Sequence, residues 1–304
     1  MPGHVPVLKQ EAIRWLVTDP EGVYVDVTLG LGGHSSELVA ALGGGGRVIA
    51  LDCDPAAVER ASANPPAPPP RFTPVRGRFS DLDSRLDQIG ISEVDGILAD
   101  LGLSSDQLDD PARGLSFATE GPLDMRLDPS RPMSADALIR SVDDRALERI
   151  LGSYGELPRA RSAVRAIRRA ERAVQPLTTG ALRDALQPIY PGPQRPRRLA
   201  QAFQALRVAV NHEMEELEAL LATAARRTRT KGRLCVIAYH SLEDRIVKTA
   251  IRPPRPLDVW EEPAETPWIP LTRKPIRPTD EEIAANPRAG SARLRVAERK
   301  ENRR

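Results

Sequence analysis

The sequence predicts an α/β fold, a largely parallel sheet with helices on both faces, interrupted by an all-helical insertion. Three observations carry this. Near-continuous apolar stretches alternate with helical patterns through the first hundred residues, as strands buried on both faces do. A block from about Leu108 to Arg198 contains no stretch that reads as a strand. A buried-strand pattern then returns at Leu234–Tyr239, so the sheet resumes after the insertion.

Val23–Val27 is the first strand. It runs into Thr28-Leu29-Gly30-Leu31-Gly32-Gly33-His34, then a helix from about Ser35 to Leu42, which Gly43–Gly46 break. Arg47–Asp52 is the second strand, and Pro55 at a first-turn position opens a helix to about Ala63. The stretch Asn64–Pro70 is a proline-rich loop. Phe72–Val75 and Val94–Asp100 supply a third and a fourth strand. In the insertion, Leu123–Pro132 reads as loop. Ser134–Arg140, Asp143–Leu151, Arg159–Ala173 and Thr179–Leu186 read as short helices, with Pro191, Pro193 and Pro196 closing the block. Phe203, Leu206, Val210, Met214, Leu217 and Leu221 share one face of a single long helix ending near Arg229. That face suits packing on the sheet or on a second subunit, which leaves a homodimer open. Residues 252–290 read as proline-rich loop, Ala292–Ala297 as a late edge strand, and the tail after Arg299 as frayed. The expected domains are 1–107 with 199–304, and 108–198.

The 304 residues are 40% hydrophobic, 28% charged and 4% aromatic, enough for one large α/β domain or two smaller ones. No apolar run approaches the roughly 20 residues that span a bilayer, which excludes a membrane protein. Met1–Pro6 lacks a charged-then-apolar leader pattern, so a cytoplasmic protein is expected. Two cysteines, Cys53 and Cys235, make neither a disulfide framework nor a four-cysteine zinc site, and no metal centre is expected. The net charge is only +2, but of the 44 basic residues all except Lys9, Lys231, Lys248, Lys274 and Lys300 are arginine, which forks onto phosphate.

The glycine turn after the first strand lets backbone approach a ligand at a helix N-terminus. Twenty positions after Gly32, Asp52 ends the next strand, where an acidic side chain accepts hydrogen bonds from both hydroxyls of an adenosine ribose. Asp54 competes for that role, but Asp54-Pro55 more naturally starts a helix. Together these features point to a nucleoside cofactor. The dinucleotide fingerprint wants a third glycine after two spacers, whereas Gly33, His34 and Ser35 follow Gly32. Asp26, just ahead of the turn, suits a cofactor carrying an amino acid and a sulfonium, which favours S-adenosylmethionine; a loop-capping carboxylate is the plain alternative. Asp100 ends the fourth strand at the edge where open α/β sheets bind ligands.

The chain closely resembles the RsmH/MraW family of bacterial 16S ribosomal RNA (cytosine-N4)-methyltransferases over nearly its whole length. The resemblance rests on His4–Leu8, Thr28–Ser35, Asp95–Gly102, Ser104–Asp110, Gly121–Arg126, Phe203–Arg207, His240–Arg245 and Asn286–Ala289, in that order. It implies a Rossmann-like S-adenosylmethionine-dependent methyltransferase domain interrupted by a helical domain. The implied cofactor contacts are Gly32, Gly33, His34, Asp52, Phe79, Asp100 and Gln107. The implied substrate is the exocyclic N4 amine of a cytidine in 16S ribosomal RNA of the small ribosomal subunit. Val27, Leu31 and Asp106 stand where the family usually has Gly, Arg and Pro.

A cytosine amine is a poor nucleophile, so an enzyme must align it and help it shed a proton. Asp100 is the candidate acceptor after its cofactor role, with Ser104 and Ser105 as helpers whose plain alternative is capping a turn. Cys235, inside a strand, and Cys53, between two aspartates, are poor thiolates, which argues against covalent C5 chemistry. Ser241 with Asp244 reads as a capping box, with His240 and Arg245 left to face substrate. In the insertion, Arg159, Arg161, Arg165, Arg168, Arg169 and Arg172 crowd one helix, with Arg195, Arg197 and Arg198 nearby. Such a stripe neutralises RNA phosphates, or is simply a solvated face. Tyr154, Trp260 and Trp268 are candidates for base stacking or for packing. Two other classes compete: a nicotinamide-dependent oxidoreductase, disfavoured by the missing third glycine, and a non-catalytic RNA-binding or assembly protein that keeps a nucleoside pocket.

Overall fold

The computed structural model describes residues 6–68, 71–254 and 265–301. The elements run α1 (Lys9–Leu16), β1 (Val23–Asp26), α2 (Gly33–Ala41), β2 (Arg47–Asp52), α3 (Pro55–Ala63), β3 (Phe72–Arg76), α4 (Leu82–Gln88) and β4 (Val94–Asp100). Then come α5 (Ser105–Asp109), α6 (Ala135–Ser141), α7 (Asp144–Ser153), α8 (Ala160–Ala173), α9 (Thr179–Leu186) and α10 (Arg195–Asn211). The chain continues through α11 (Glu213–Arg227), β5 (Thr228–Ala238), α12 (Ser241–Ile251), β6 (Trp268–Pro270), α13 (Asp280–Ala285) and β7 (Arg293–Arg299). These form two units, Met1–Gly102 with Met214–Arg304, and Leu103–Glu213.

In the first unit the sheet order is β3-β2-β1-β4-β5-β7-β6. Strands β1 to β5 are mutually parallel; β7 runs antiparallel to β5, and β6 antiparallel to β7. Each strand feeds both faces, because successive side chains alternate. Val25, Ile49, Ile97 and Val236 pack with Leu82 and Leu86 of α4, Leu217 and Leu221 of α11 and Val247 of α12. Tyr24, Val48, Leu98 and Cys235 pack on the other face with Ile13 and Leu16 of α1 and Leu38 of α2. With both faces covered, β4 has no polar side to alternate, and its residues Val94–Ala99 are all buried. The strand order reverses direction between β1 and β4, so a crevice opens at their carboxyl ends.

The second unit has its own core, in which Leu147, Leu151, Ile167, Leu182 and Leu186 meet Leu199, Phe203, Leu206 and Val210. Thr178, Ser134 and Asp143 cap α9, α6 and α7 by accepting backbone N–H groups.

Several sequence expectations are corrected. The single long helix is two: His212 adopts a left-handed φ of 54° and ends α10, so Phe203, Leu206 and Val210 face the helical core and Leu217 and Leu221 the sheet. That apolar face is therefore buried within the chain and offers nothing to a second subunit. For the same reason α10 belongs with the helices, and the boundaries fall at 102/103 and 213/214 rather than 107/108 and 198/199. The late strand is internal, because Trp268–Pro270 pairs on its outer side as the actual edge, where a proline needs no ladder partner. Thr279 caps a further helix inside the segment expected to be loop. Helices α1 and α4, absent from the sequence reading, each cover one sheet face. Part of the expected 252–290 loop, with Trp260 in it, lies outside the described residues, as does the end of the tail.

Gly96 shows how closely α1 sits on β4. A Cβ there would lie 2.7 Å from Leu16 Cδ1, 3.0 Å from Tyr24 Cδ1 and 3.1 Å from the Arg233 carbonyl oxygen. Gly96→Ala is expected to lower the unfolding free energy by about 2 kcal/mol through overpacking, read as a shifted urea midpoint at unchanged slope.

Candidate active site

The carboxyl end of β1 places Asp26 wholly inside the protein. Its Oδ1 accepts from the Thr28 N–H at 3.0 Å and from Thr28 Oγ1 at 3.2 Å; its Oδ2 accepts from Ser35 Oγ at 2.6 Å. Burial pushes this carboxyl above the ordinary aspartate range, against the field of His34 and the Ser35 bond. Thr28 Oγ1 in turn accepts the Asp100 N–H at 2.7 Å, tying β1 to β4.

The turn between β1 and α2 needs its glycines for different reasons. Gly30 and Gly32 have φ of 48° and 79°, a region other residues enter at a cost. A Cβ on Gly33 would fall 2.2 Å from Pro6 Cγ, so this glycine admits the N-terminal segment. The Gly30 N–H donates to Asp52 Oδ2 at 2.8 Å and the Asp54 N–H to Asp52 Oδ1 at 2.9 Å. Each Asp52 oxygen keeps a second lone pair for a ligand hydroxyl. Burial holds Asp52 above its ordinary range despite those two donors. Asp54 caps α3 by accepting from the Ala56 N–H, with Pro55 in the first turn, so Asp52 is the carboxylate left for a ribose.

Phe79 lies in a short 3-10 turn after β3 and packs half-buried against the sheet core that holds Val25 and Leu51. Glu216 of α11 anchors that turn: its carboxylate accepts from the Ser80 N–H at 2.9 Å, from Ser80 Oγ at 3.1 Å and from Arg78 Nη2 at 3.1 Å.

Asp100 closes β4 with two side-chain partners. The Tyr239 hydroxyl, one residue beyond β5, donates to Oδ1 at 2.8 Å. His34 Nε2, in the first turn of α2, lies 3.3 Å from Oδ2 as an ion pair. Burial opposes a charge on His34, but contact with Asp100 and the fields of Asp100 and Asp26 outweigh it and hold the imidazole above its usual value.

Around one turn, then, stand the glycine loop and three carboxylates, Asp26, Asp52 and Asp100. His34 is only 5% exposed; its Nε2 faces Asp100, and its Nδ1 has no hydrogen-bond partner. A buried polar group in that state calls for a ligand atom. S-adenosylmethionine fits this donor and acceptor set: Asp52 would take the ribose, Phe79 the adenine, and the Gly32–His34 turn with Asp100 the charged amino-acid end.

The other predicted residues have local roles. In the second unit, Ser104 and Gln107 cap α5 reciprocally: Ser104 Oγ accepts the Gln107 N–H at 3.2 Å and Gln107 Oε1 accepts the Ser104 N–H at 3.1 Å. Ser105 is the first residue of that helix. Arg168 is a structural tie: its guanidinium binds Asp144, Glu171 and the Ile139 carbonyl at 2.8, 2.8 and 2.6 Å. Arg159 takes a left-handed φ of 58° at the N-cap of α8, and its Nη1 is 3.5 Å from the Ile189 carbonyl. Arg161, Arg165, Arg169 and Arg172 are exposed along α8. The expected Ser241–Asp244 box is shifted by one residue: His240 caps α12 with Glu243, while Asp244 pairs with Arg293 and Arg295 of β7. Trp268 is buried in the sheet core and Tyr154 packs against the helical core. His4 and Val5 lie outside the described residues. Thr28, Ser35, Glu216 and Tyr239 escaped the sequence reading; Tyr239 alone left a signal there, at the end of its strand pattern like Asp52 and Asp100.

A seven-stranded α/β sheet with a glycine turn and acidic strand ends at its switch point is the arrangement of an S-adenosylmethionine-dependent methyltransferase. The chain belongs to the MraW methylase family, whose model matches residues 1–300. It is 46% identical over 299 residues to the ribosomal RNA small subunit methyltransferase H of Sorangium cellulosum, covering 97% of this chain and 90% of that protein. The proteins of the same name from Thiobacillus denitrificans and Thermomicrobium roseum are 44% and 46% identical, covering 98% and 97% of this chain and 97% and 93% of their own lengths.

Because His34 is raised in the folded state, its ion pair stabilises fully below the unfolded histidine value of about 6.5. That contribution is lost as pH rises through the folded value. The unfolding free-energy advantage of the unliganded protein over His34→Asn is therefore expected to be largest at low pH and to shrink above about pH 6.5, as measured by urea titrations across pH.

Proposed function

We propose that the protein methylates the exocyclic N4 amine of a cytidine in 16S ribosomal RNA of the small ribosomal subunit. What carries this reading is that relatives aligned along 97% or more of the chain share the name ribosomal RNA small subunit methyltransferase H. The choice of an amine is supported by the site. Cys235 is buried in β5 with its thiol pushed up to about 12 by burial, which leaves it inert as the nucleophile that C5 methylation requires. Asp100, in contrast, brings a carboxylate to the strand edge.

When bound, S-adenosylmethionine supplies an electrophilic methyl carbon on a sulfonium. That carbon would take the amine lone pair, the carbon–sulfur bonding pair leaving on sulfur. Asp100 accepts one amine N–H, which directs the lone pair and draws electron density from the N–H bond. The methylated nitrogen then sheds its proton along the same hydrogen bond or to solvent. Gly32, Gly33, His34, Asp52, Phe79 and, ahead of its acceptor role, Asp100 bind the cofactor, and Gln107 is assigned to that set by family resemblance. Ser104 and Ser105 stay secondary candidates, since Ser104 is occupied as a cap.

The helical unit is assigned RNA recognition. Arg161, Arg169 and Arg172 are exposed with no acidic partner among the described residues, and Arg165 leans only on Ser162 at 3.3 Å. Cations at this helical spacing suit a phosphate backbone, and the target base must be unpaired or flipped to reach the site. Arg168, held by its own acids, does not contribute directly. No helix among the described residues is long and apolar enough to cross a membrane.

Four outcomes test this reading. Label from S-adenosylmethionine should appear as N4-methylcytidine in small subunits or 16S RNA, and Asp100→Asn should cut turnover by about 100-fold or more; label in another nucleoside would overturn the substrate. Arg161→Ala with Arg169→Ala should weaken RNA binding and lower its salt slope by about 2, leaving cofactor binding unchanged. Arg168→Ala should instead cost about 2 kcal/mol of stability, seen in a urea melt.

A further inference from the structure

The outer edge of the sheet carries a pocket that the methyl-transfer site does not use. It has a volume of about 340 Å³ and lies where the last turn of α12 meets the edge strand β6 and the residue after β7. Ile251 and Trp268 line it from below, and both are buried in the sheet core. Arg252, Arg273 and Lys300 stand around it, each exposed and each on a separate segment of chain. Among the described residues no acid lines the pocket, and none pairs with any of these three cations. Other arginines of the same unit are paired: Arg227 with Asp83 and Asp87, Arg233 with Glu298, Arg295 with Asp244. Like charges gathered on one concave wall repel one another and concentrate a positive field, which a bound anion relieves.

The edge is ill suited to a partner strand. β6 has only three residues, and its Pro270 offers no N–H to a ladder. A polyanion needs no ladder, and Ile269, 46% exposed at the same pocket, gives a sugar an apolar surface. The pocket and the reaction centre also lie towards opposite ends of the strands. Asp100 pairs with Ile237 and Glu298 with Arg233, four residues apart on β5, and β6 stands three strand spacings from β4. The pocket is therefore roughly 20 Å from the end of β4, and a nucleotide held there is not the one being methylated.

We propose that Arg252, Arg273 and Lys300 form a phosphate-binding site for a second stretch of the RNA substrate, distant from the methylated nucleotide; this rests on the ribosomal RNA substrate proposed above. Phosphate contacts add affinity and fix orientation without reading sequence. A large folded RNA reaches both ends of the sheet at once, so the pocket favours a structured substrate over a short fragment.

The full-length triple variant Arg252→Ala, Arg273→Ala and Lys300→Ala tests this through binding to 16S RNA across a salt series, with small subunits alongside. Affinity for both should fall about ten-fold or more at moderate salt, and the slope of log K against log salt should become shallower by about 2. S-adenosylhomocysteine binding by calorimetry and the urea midpoint should not move. The charge-preserving triple variant Arg252→Lys, Arg273→Lys and Lys300→Arg should keep the wild-type slope, and it decides the matter if the alanine variant does not fold. Wild-type affinity and slope in the alanine variant would overturn the proposal. So would equal losses in both variants, which mark damaged packing and not lost charge. A loss confined to small subunits, with 16S RNA bound as before, would overturn it in favour of a ribosomal protein as the partner. If the wild-type enzyme itself neither binds nor methylates 16S RNA or small subunits, the substrate reading fails and the proposal with it.

Discussion

A buried carboxylate at the switch between two strands organises this protein. Asp26 has no access to water, and an ionised carboxyl in that position is tenable only when its oxygens are matched by donors. The donors come from Thr28 and Ser35, one on each side of the glycine turn. Satisfying Asp26 therefore dictates the path of the turn, the start of α2 and the placement of His34. Thr28 passes the constraint on by accepting from the Asp100 backbone. The ends of β1 and β4 are locked in register there, and every ligand-facing group on that edge is set relative to the same atom pair.

A second constraint is the distribution of arginine between structural and available roles. Arg168 and Arg227 each gather acids and carbonyl oxygens from several elements and are 15% exposed at the side chain. They hold their own units together. The arginines that remain exposed on α8 have no such acids beside them among the described residues. One residue type thus serves two purposes on a single helix, and only the position of acidic neighbours separates them. Glu216 plays a comparable part in the first unit, since its carboxylate collects the donors of the Phe79 turn and makes α11 a support for that aromatic ring.

The order in which strands meet decides the chemistry of Asp100. In sequence, Asp100 and Tyr239 are separated by the whole helical unit. Parallel pairing of β4 with β5 brings both strand ends to one edge, where the phenol donates to the carboxylate.

Much of this was legible in the amino-acid sequence. The apolar runs that became β1, β2, β4 and β5 announced a sheet covered on both faces, because only doubly buried strands forgo polar alternation. That the glycine turn and Asp52 at the next strand end meet was also legible, because local backbone geometry and strand length suffice to place them. What sequence alone could not supply were features that depend on partners far along the chain. Periodicity joined α10 and α11 into one helix, since a single residue at positive φ leaves no trace in a hydrophobic pattern. Arg168 looked like its exposed neighbours until Asp144 and Glu171 were seen beside it. Tyr239 became a partner of Asp100 only through strand register. Spacing determined which elements form and where ligands approach; tertiary structure determined which charges are spent on folding and which remain for the reaction, because electrostatic pairing depends on distance in space and not on separation in sequence.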